Sequence, residues 1–384
     1  MKINENLLIL YLIVGLALRP VYKYCEHMLD FPRINFTFIF LIIFVLIVCV
    51  NIYFFDHSLI EGHLVSFLLL LMVSIIQVIS FPWAVEYSSN GTHVYLTTIS
   101  RTIVQYWLYW FVGVYIVQIF NNQLFWKLMN YLWLVTAVVV ILNSLSNTIF
   151  AIILGGINIY IMLADSFAVL SIFVLCKSKN IKFQSFIIII SSICLFALWS
   201  RASLYCFVLV ALYFLYQKNK KILITFICIM VSLVIFNVEE DVQTYRMTRL
   251  LFGTADLSNS MRDEQLEMGL QDLSEIWMLG RFMGDVDKNF GHEGDYIHNY
   301  LSFWRQFGLL PFVIFCYLVL SNSLKIFIYF RNKIKNNEIE YFLLFFTLFC
   351  LFEIVLARSF VSSYIWLSIG AIPSYFNYLK EKKI

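Results

Sequence analysis

Arginine and lysine are sorted along this chain in a way that charge alone does not require. Lysine gathers at Lys177, Lys179 and Lys182, at Lys218, Lys220 and Lys221, at Lys333 and Lys335 beside Arg331, and at Lys380, Lys382 and Lys383. At the opposite ends of the apolar segments, beyond the first loop, the bases are Arg101, Arg201, Arg246, Arg249, Arg262, Arg281, Arg305 and Arg358, with Lys288 the lone lysine. A guanidinium is planar, always charged and able to grip a phosphate with two parallel hydrogen bonds, which an ammonium cannot do. Arginines gathered where a membrane meets water therefore point to a phosphate or diphosphate carried on a lipid. The plainer reading, that each anchors a phospholipid headgroup or pairs with a nearby carboxylate, stands beside it for any single arginine.

Arg262 has a sharper local setting. Residues 260–279 read as an amphipathic helix, with Ser260 as N-cap, Asp263 three residues on and Gly280 as the stop. Leu266, Leu270, Leu273 and Trp277 share one face at helical spacing. Arg262 falls in the first turn on that face, where free backbone N–H groups already favour an anion. A diphosphate or a neighbouring carboxylate would balance it. Arg201 follows Ser200 at a segment end, with Trp199 before it, so snorkelling to the interface competes with ligand binding. Asp165 and Glu353 lie within apolar segments, and Arg358 follows Glu353 by five residues; charges at such depth are paired or functional. His298, in the run Tyr296–Leu301, is placed to act as a base or donor at the interface, against a capping role at the start of the next helix. Asp285 and Asp287 form a DxD pair but lack the glycine and glutamate of a calcium loop, where Phe290 and Tyr296 stand instead. Metal binding is the minor reading there.

These residues are carried by a chain built for a bilayer. Of 384 residues, 61% are hydrophobic and 13% charged, and the mean hydropathy is +0.82. A soluble domain has about a quarter charged residues. Long unbroken apolar runs exclude a transmembrane barrel, and a net charge of +3 gives no basic field for nucleic acid. The eight cysteines show no CxxC spacing and read as small buried hydrophobes. The expected architecture is an all-α polytopic membrane protein with about 12 transmembrane helices. Nine cross within residues 1–237; a large loop occupies 238–297 with its amphipathic helix; three more cross within 298–384. The N-terminal apolar stretch reads as a retained first helix. The four lysine clusters agree on one side, the cytoplasm, which puts the 238–297 loop outside. Arg19, Lys23 and Arg33 object, and either a re-entrant hairpin around Gly155–Gly156 or the downstream charges must overrule them. The loop is acidic, with thirteen of the 24 carboxylates, which is compatible with export.

Ser200-Arg201 at an outer helix end, Arg262 at the start of a loop helix, Leu279-Gly280 at its end, and His298-Asn299 before Gly308 together resemble the O-antigen polymerase and ligase superfamily. These are membrane glycosyltransferases of the GT-C type. Where members often have His/Pro-Leu-Phe-Gly after the loop helix, this chain has Met278-Leu279-Gly280-Arg281. The resemblance implies an enzyme of the bacterial inner membrane whose site faces the periplasm. It would transfer an undecaprenyl-diphosphate-linked repeat unit onto an acceptor sugar hydroxyl of another lipid-linked repeat, with inversion and with no metal or other cofactor. By carry-over, Arg201 and Arg262 bind the diphosphate and His298 orients or deprotonates the acceptor. Asp263, Glu293 and Asp295 stay open as alternative bases, and Arg101, Arg281, Arg358 and Asn299 as further contacts to the diphosphate or glycan. The implied partners are the lipid-linked oligosaccharide, membrane lipids, a chain-length regulator and a flippase. An O-antigen ligase acting on lipid A core shares this chemistry. A lipid-linked-oligosaccharide flippase is the rival from another class, disfavoured because no internal repeat is visible.

Overall fold

The computed structural model describes residues 2–29, 32, 34, 36–53, 62–87, 91–145, 159–198, 200–236, 257–288, 297–332, 337–356 and 362–382. Every regular element among them is helical. Five helical stretches are long and apolar enough to cross a membrane: Glu5–Lys23, Gln123–Leu142, Tyr160–Lys177, Leu309–Arg331 and Glu338–Leu356. Phe36–Cys49, Leu64–Ile79 and Ile181–Ala197 are shorter apolar helices.

The chain forms two compact units. One comprises 1–14, 33–126 and 265–384, the other 15–32 and 127–264.

In the second unit, helices Ile159–Lys177, Ile181–Ala197, Arg201–Lys218 and Lys220–Phe236 follow one another with one to three residues between them. Such short joints force antiparallel neighbours, and each consecutive pair packs together. Asparagine makes the lysine-side turns. Asn180 Oδ1 accepts from the Lys182 N–H at 3.0 Å and Asn219 Oδ1 from the Lys221 N–H at 3.0 Å, satisfying amide groups that a helix start leaves open. The geometry has a direct consequence. Lys177, Lys179 and Lys182 lie at the same end of this helix stack as Lys218, Lys220 and Lys221, and Arg201 opens its helix at the other end. Within the stack, polar groups satisfy one another. The Trp133 indole N–H reaches Ser171 Oγ at 3.1 Å and Ser191 Oγ at 3.2 Å, and Ser191 donates to Ser171 at 2.8 Å. Interhelical hydrogen bonds of this kind replace the hydrophobic drive that lipid does not supply.

The first unit is organised by a glycine crossing. Helices Gln105–Val114 and Tyr364–Glu381 approach until a Cβ on Gly113 would stand 2.3 Å from the Leu367 carbonyl, and one on Gly370 2.5 Å from that of Trp110. Small residues at matching positions allow such backbone contact. Trp366, fully buried beside this crossing, packs against Tyr106, Phe303 and Phe315 with ring centroids 5.0, 6.4 and 5.9 Å away.

Three helices depart from the simple spans expected. A π-helical turn at Val14–Leu18 precedes Pro20, whose missing N–H and ring the widened turn accommodates. A second π turn, Ser100–Val104, interrupts the helix entering Gln105–Val114. The first of the three spans expected within 298–384 is broken at Gly308 (φ 83°) into Leu301–Phe307 and Leu309–Asn332. Gly155–Gly156, the suggested re-entrant point, lies outside the described residues.

Candidate functional site

The sequence candidates fall into both units. Arg201, Arg262 and Asp263 belong to the second; Arg101, Arg281, His298 and Asn299 belong to the first. Arg358, Glu293, Asp295, Arg246, Arg249 and Trp199 lie outside the described residues. Arg101 sits in the Ser100–Val104 π turn.

In the second unit, Arg201 is the first residue of its helix and is buried. Ser200, also buried, precedes it and shares a 2.7 Å hydrogen bond with Ser203. Ser203 in turn hydrogen-bonds the Asp165 carboxylate from the Ile159–Lys177 helix. The hydroxyl chain thus joins Asp165 to Ser200, the residue directly before Arg201, at a helix N-terminus. The open N–H groups of that terminus lie beside the buried Arg201 and the two hydroxyls, with the Asp165 carboxylate as the acceptor for Ser203.

Arg262 does not have the setting expected. The loop helix runs Leu257–Ile276, so Ser260 is not its cap and Arg262 is its sixth residue, past the turn whose N–H groups are open. Nothing in Leu257–Asn259 breaks a helix, as neither glycine nor proline occurs there, and the chain coils earlier than the Ser260 signal implied. Arg262 is half-buried and Asp263 is exposed. The buried face is also turned from the leucine stripe. Gly269, Asp272 and Leu273 are buried, whereas Leu270 and Trp277 are exposed. Two contacts explain the rotation. Gly269 lets the helix approach Ile297 until a Cβ would stand 2.3 Å from its side chain. Asp272 is held by Arg305 and Lys288.

That second contact belongs to a polar cluster that sequence reasoning missed. Arg305 and Asp272 are both buried and ion-paired. Gln306 donates to Asp285 Oδ1 at 2.7 Å and accepts from the Met283 N–H at 2.7 Å. Met283 has φ 61°, a strained value for a non-glycine residue, and that hydrogen bond holds it. Arg281 donates from Nε to the Tyr87 hydroxyl at 2.9 Å and from a terminal nitrogen to Asp287 at 2.8 Å. Its guanidinium also lies 5.0 Å from the Tyr87 ring centroid. Burial weighs against the Arg281 charge, but Tyr87 and Asp287 outweigh it and its pKa is raised. The DxD carboxylates therefore serve different partners, Asp285 facing Gln306 and Asp287 facing Arg281. The one available signal was the clustering of Arg281, Asp285, Asp287 and Lys288 shortly before Arg305, but nothing in their spacing shows which will pair.

Two backbone bonds fix this cluster to the following span. The Arg281 N–H donates to the Arg305 carbonyl at 2.8 Å and the Leu309 N–H to the Met278 carbonyl at 3.1 Å. Gly280 (φ 68°) and Gly308 (φ 83°) cross here so closely that a Cβ on the former would stand 2.3 Å from the amide nitrogen of the latter. Both conditions, left-handed backbone and no room for a side chain, require glycine. His298, half-buried, lies two residues before Tyr300, the N-cap of the Leu301–Phe307 helix. Asn299, just before that cap, supports the helix start: its Oδ1 accepts from the Leu301 N–H at 2.9 Å and its carbonyl from the Ser302 hydroxyl at 2.7 Å.

No family model matches the chain, and no curated protein matches it at a significant level.

Proposed function

We propose that this chain is a polysaccharide polymerase of the bacterial inner membrane, a GT-C-like glycosyltransferase with about twelve spans. It joins undecaprenyl-diphosphate-linked repeat units at the periplasmic face. An acceptor sugar hydroxyl attacks the anomeric carbon of the donor, the bond to the diphosphate oxygen breaks, and the carbon inverts. The hydroxyl proton passes to a base, for which His298 is the candidate, as attack proceeds. The leaving diphosphate needs positive charge and donors already in place as the bond breaks. Arg201 and Arg262 are assigned to it.

The observation that supports this reading most is the setting of Arg201. Arg201 is buried and opens its helix directly after Ser200, whose hydroxyl shares a hydrogen bond with Ser203, at the end of its stack opposite the lysines. That is the chemistry a lipid-bound diphosphate calls for, and it needs no metal to work.

The test is the surface glycan of a deletion strain of the encoding bacterium. Loss of a polymerase leaves lipid A core carrying one repeat unit. Bare core would instead identify a ligase, and repeats trapped on the inner leaflet a flippase; either outcome ends the polymerase reading.

A further inference from the structure

Leu279 is 81% exposed, more than any other large apolar side chain among the described residues. It is the tip of a turn whose other members, Trp277 and Met278, are 47% and 59% exposed. Three consecutive large apolar residues offered to water would be a liability in a loop. Their position explains them. The Met278 carbonyl accepts from the N–H of Leu309, the first residue of the Leu309–Arg331 span. The turn therefore sits at the very end of a membrane-crossing helix, beside its exposed Leu310 and Val313.

The aromatic residues around it mark the same level. Trp304 donates its indole N–H to the Trp277 carbonyl at 2.6 Å and stacks on Phe312 at 5.3 Å, and Tyr300 also stacks on Phe312, at 6.2 Å. Tryptophan and tyrosine collect where headgroups meet acyl chains. Leu309–Asn332, Glu338–Leu356 and Tyr364–Glu381 alternate in direction, so this end of the first span lies opposite the ends carrying Arg331 and Lys380.

We propose that the Trp277–Leu279 turn is not an aqueous loop but a membrane-seated wedge. Leu279 and Met278 enter the acyl region of the adjoining leaflet, and Trp277, Tyr300 and Trp304 lie at its headgroup boundary. The occupant of this apolar face is phospholipid, continuous with the lipid that surrounds the span below it. The Gly280–Gly308 crossing sets the depth, because it ties the turn to the start of the span without intervening side chains. The inference is independent of the glycosyltransferase reading.

The test places a photoreactive benzoylphenylalanine at one position at a time in the full-length protein, reconstituted in nanodiscs of phosphatidylcholine and phosphatidylglycerol. Irradiation followed by mass spectrometry reads phospholipid adducts. Position 313 reports ordinary lipid contact and position 275, an exposed glutamate on the loop helix, reports water. Adducts at 279 matching those at 313 and several-fold above those at 275 are expected. Lipid adducts at 313 without any at 279 would overturn the wedge, as would cross-links from 279 to a second copy of the chain. As a second readout, dibrominated lipids should quench less of the total tryptophan fluorescence in Trp277→Phe than in the unmodified protein. Equal quenching would place Trp277 away from lipid.

Discussion

Two arginines in this molecule have similar sequence surroundings and different work. Arg305 is buried against Asp272, so removing that carboxylate takes away its ion-pair partner and leaves Asp285 as a nearby opposing charge. Breaking a buried pair from one side costs roughly 3–5 kcal/mol. Asp272→Asn is therefore expected to lower the detergent-solubilised melting temperature clearly. Arg281 and Asp287 are each about two-fifths exposed, and an exposed pair contributes only about 0.2–1 kcal/mol. Asp287→Asn should melt close to the parent. Equal shifts for the two variants would contradict the burial difference. A different prediction belongs to Arg201. Lysine there keeps the charge but loses the paired donors, and loss of a preorganised donor costs about a hundredfold in rate. Arg201→Lys should abolish long-chain glycan in a complemented strain while the protein accumulates normally, and Arg262→Lys should follow it. Full-length glycan from either variant removes that arginine from the mechanism.

At the scale of elements, what the sequence could show depended on whether the cause was local. Helix and apolarity are local properties, and helices do cover the apolar runs among the described residues. The left-handed backbone at Gly280 is local too, although the helix itself ends earlier, at Ile276, and 277–279 form a turn. The start of the loop helix was misjudged because a serine at the right spacing is a permissive signal, and the chain was free to coil from Leu257. The direction of that helix's face was misjudged for a non-local reason: leucine spacing describes the helix alone, whereas Ile297 and Arg305 decide which side is drawn in. The Asp165–Ser203–Ser200 chain could not be read at all, since it joins two helices with a third lying between them in sequence. The glycine crossing is of the same kind. Gly370→Val should push its Cβ into the Trp110 carbonyl, where backbone cannot yield, and overpacking costs about 1–3 kcal/mol. A matched loss of melting temperature is expected. An unchanged melt would mean that the Gln105–Val114 and Tyr364–Glu381 helices have slack that the 2.5 Å approach denies.

At the scale of the whole molecule, the remaining question is which end of each helix stack faces the cytoplasm, and charge decides it. Antiparallel packing puts Lys177, Lys179 and Lys182 at one end with Lys218, Lys220 and Lys221, and Arg201 at the other. Six lysines in two short turns form a strong retention signal, because lysine and arginine near span ends resist export while carboxylates contribute little. The objecting first loop is weaker than its residue count implies. The helix Arg19–Leu29, which carries Arg19 and Lys23, continues the first span through its π turn instead of leaving it as an open loop. The downstream clusters should therefore govern. A fluorescent protein fused after Ile384 is expected to fold and glow, and alkaline phosphatase inserted near residue 245 is expected to be active, since it requires an oxidising exterior. The reverse pair of results would put Arg201 on the cytoplasmic face, where nucleotide-linked donors are found, and a lipid-diphosphate donor facing the exterior would no longer be the substrate its position favours.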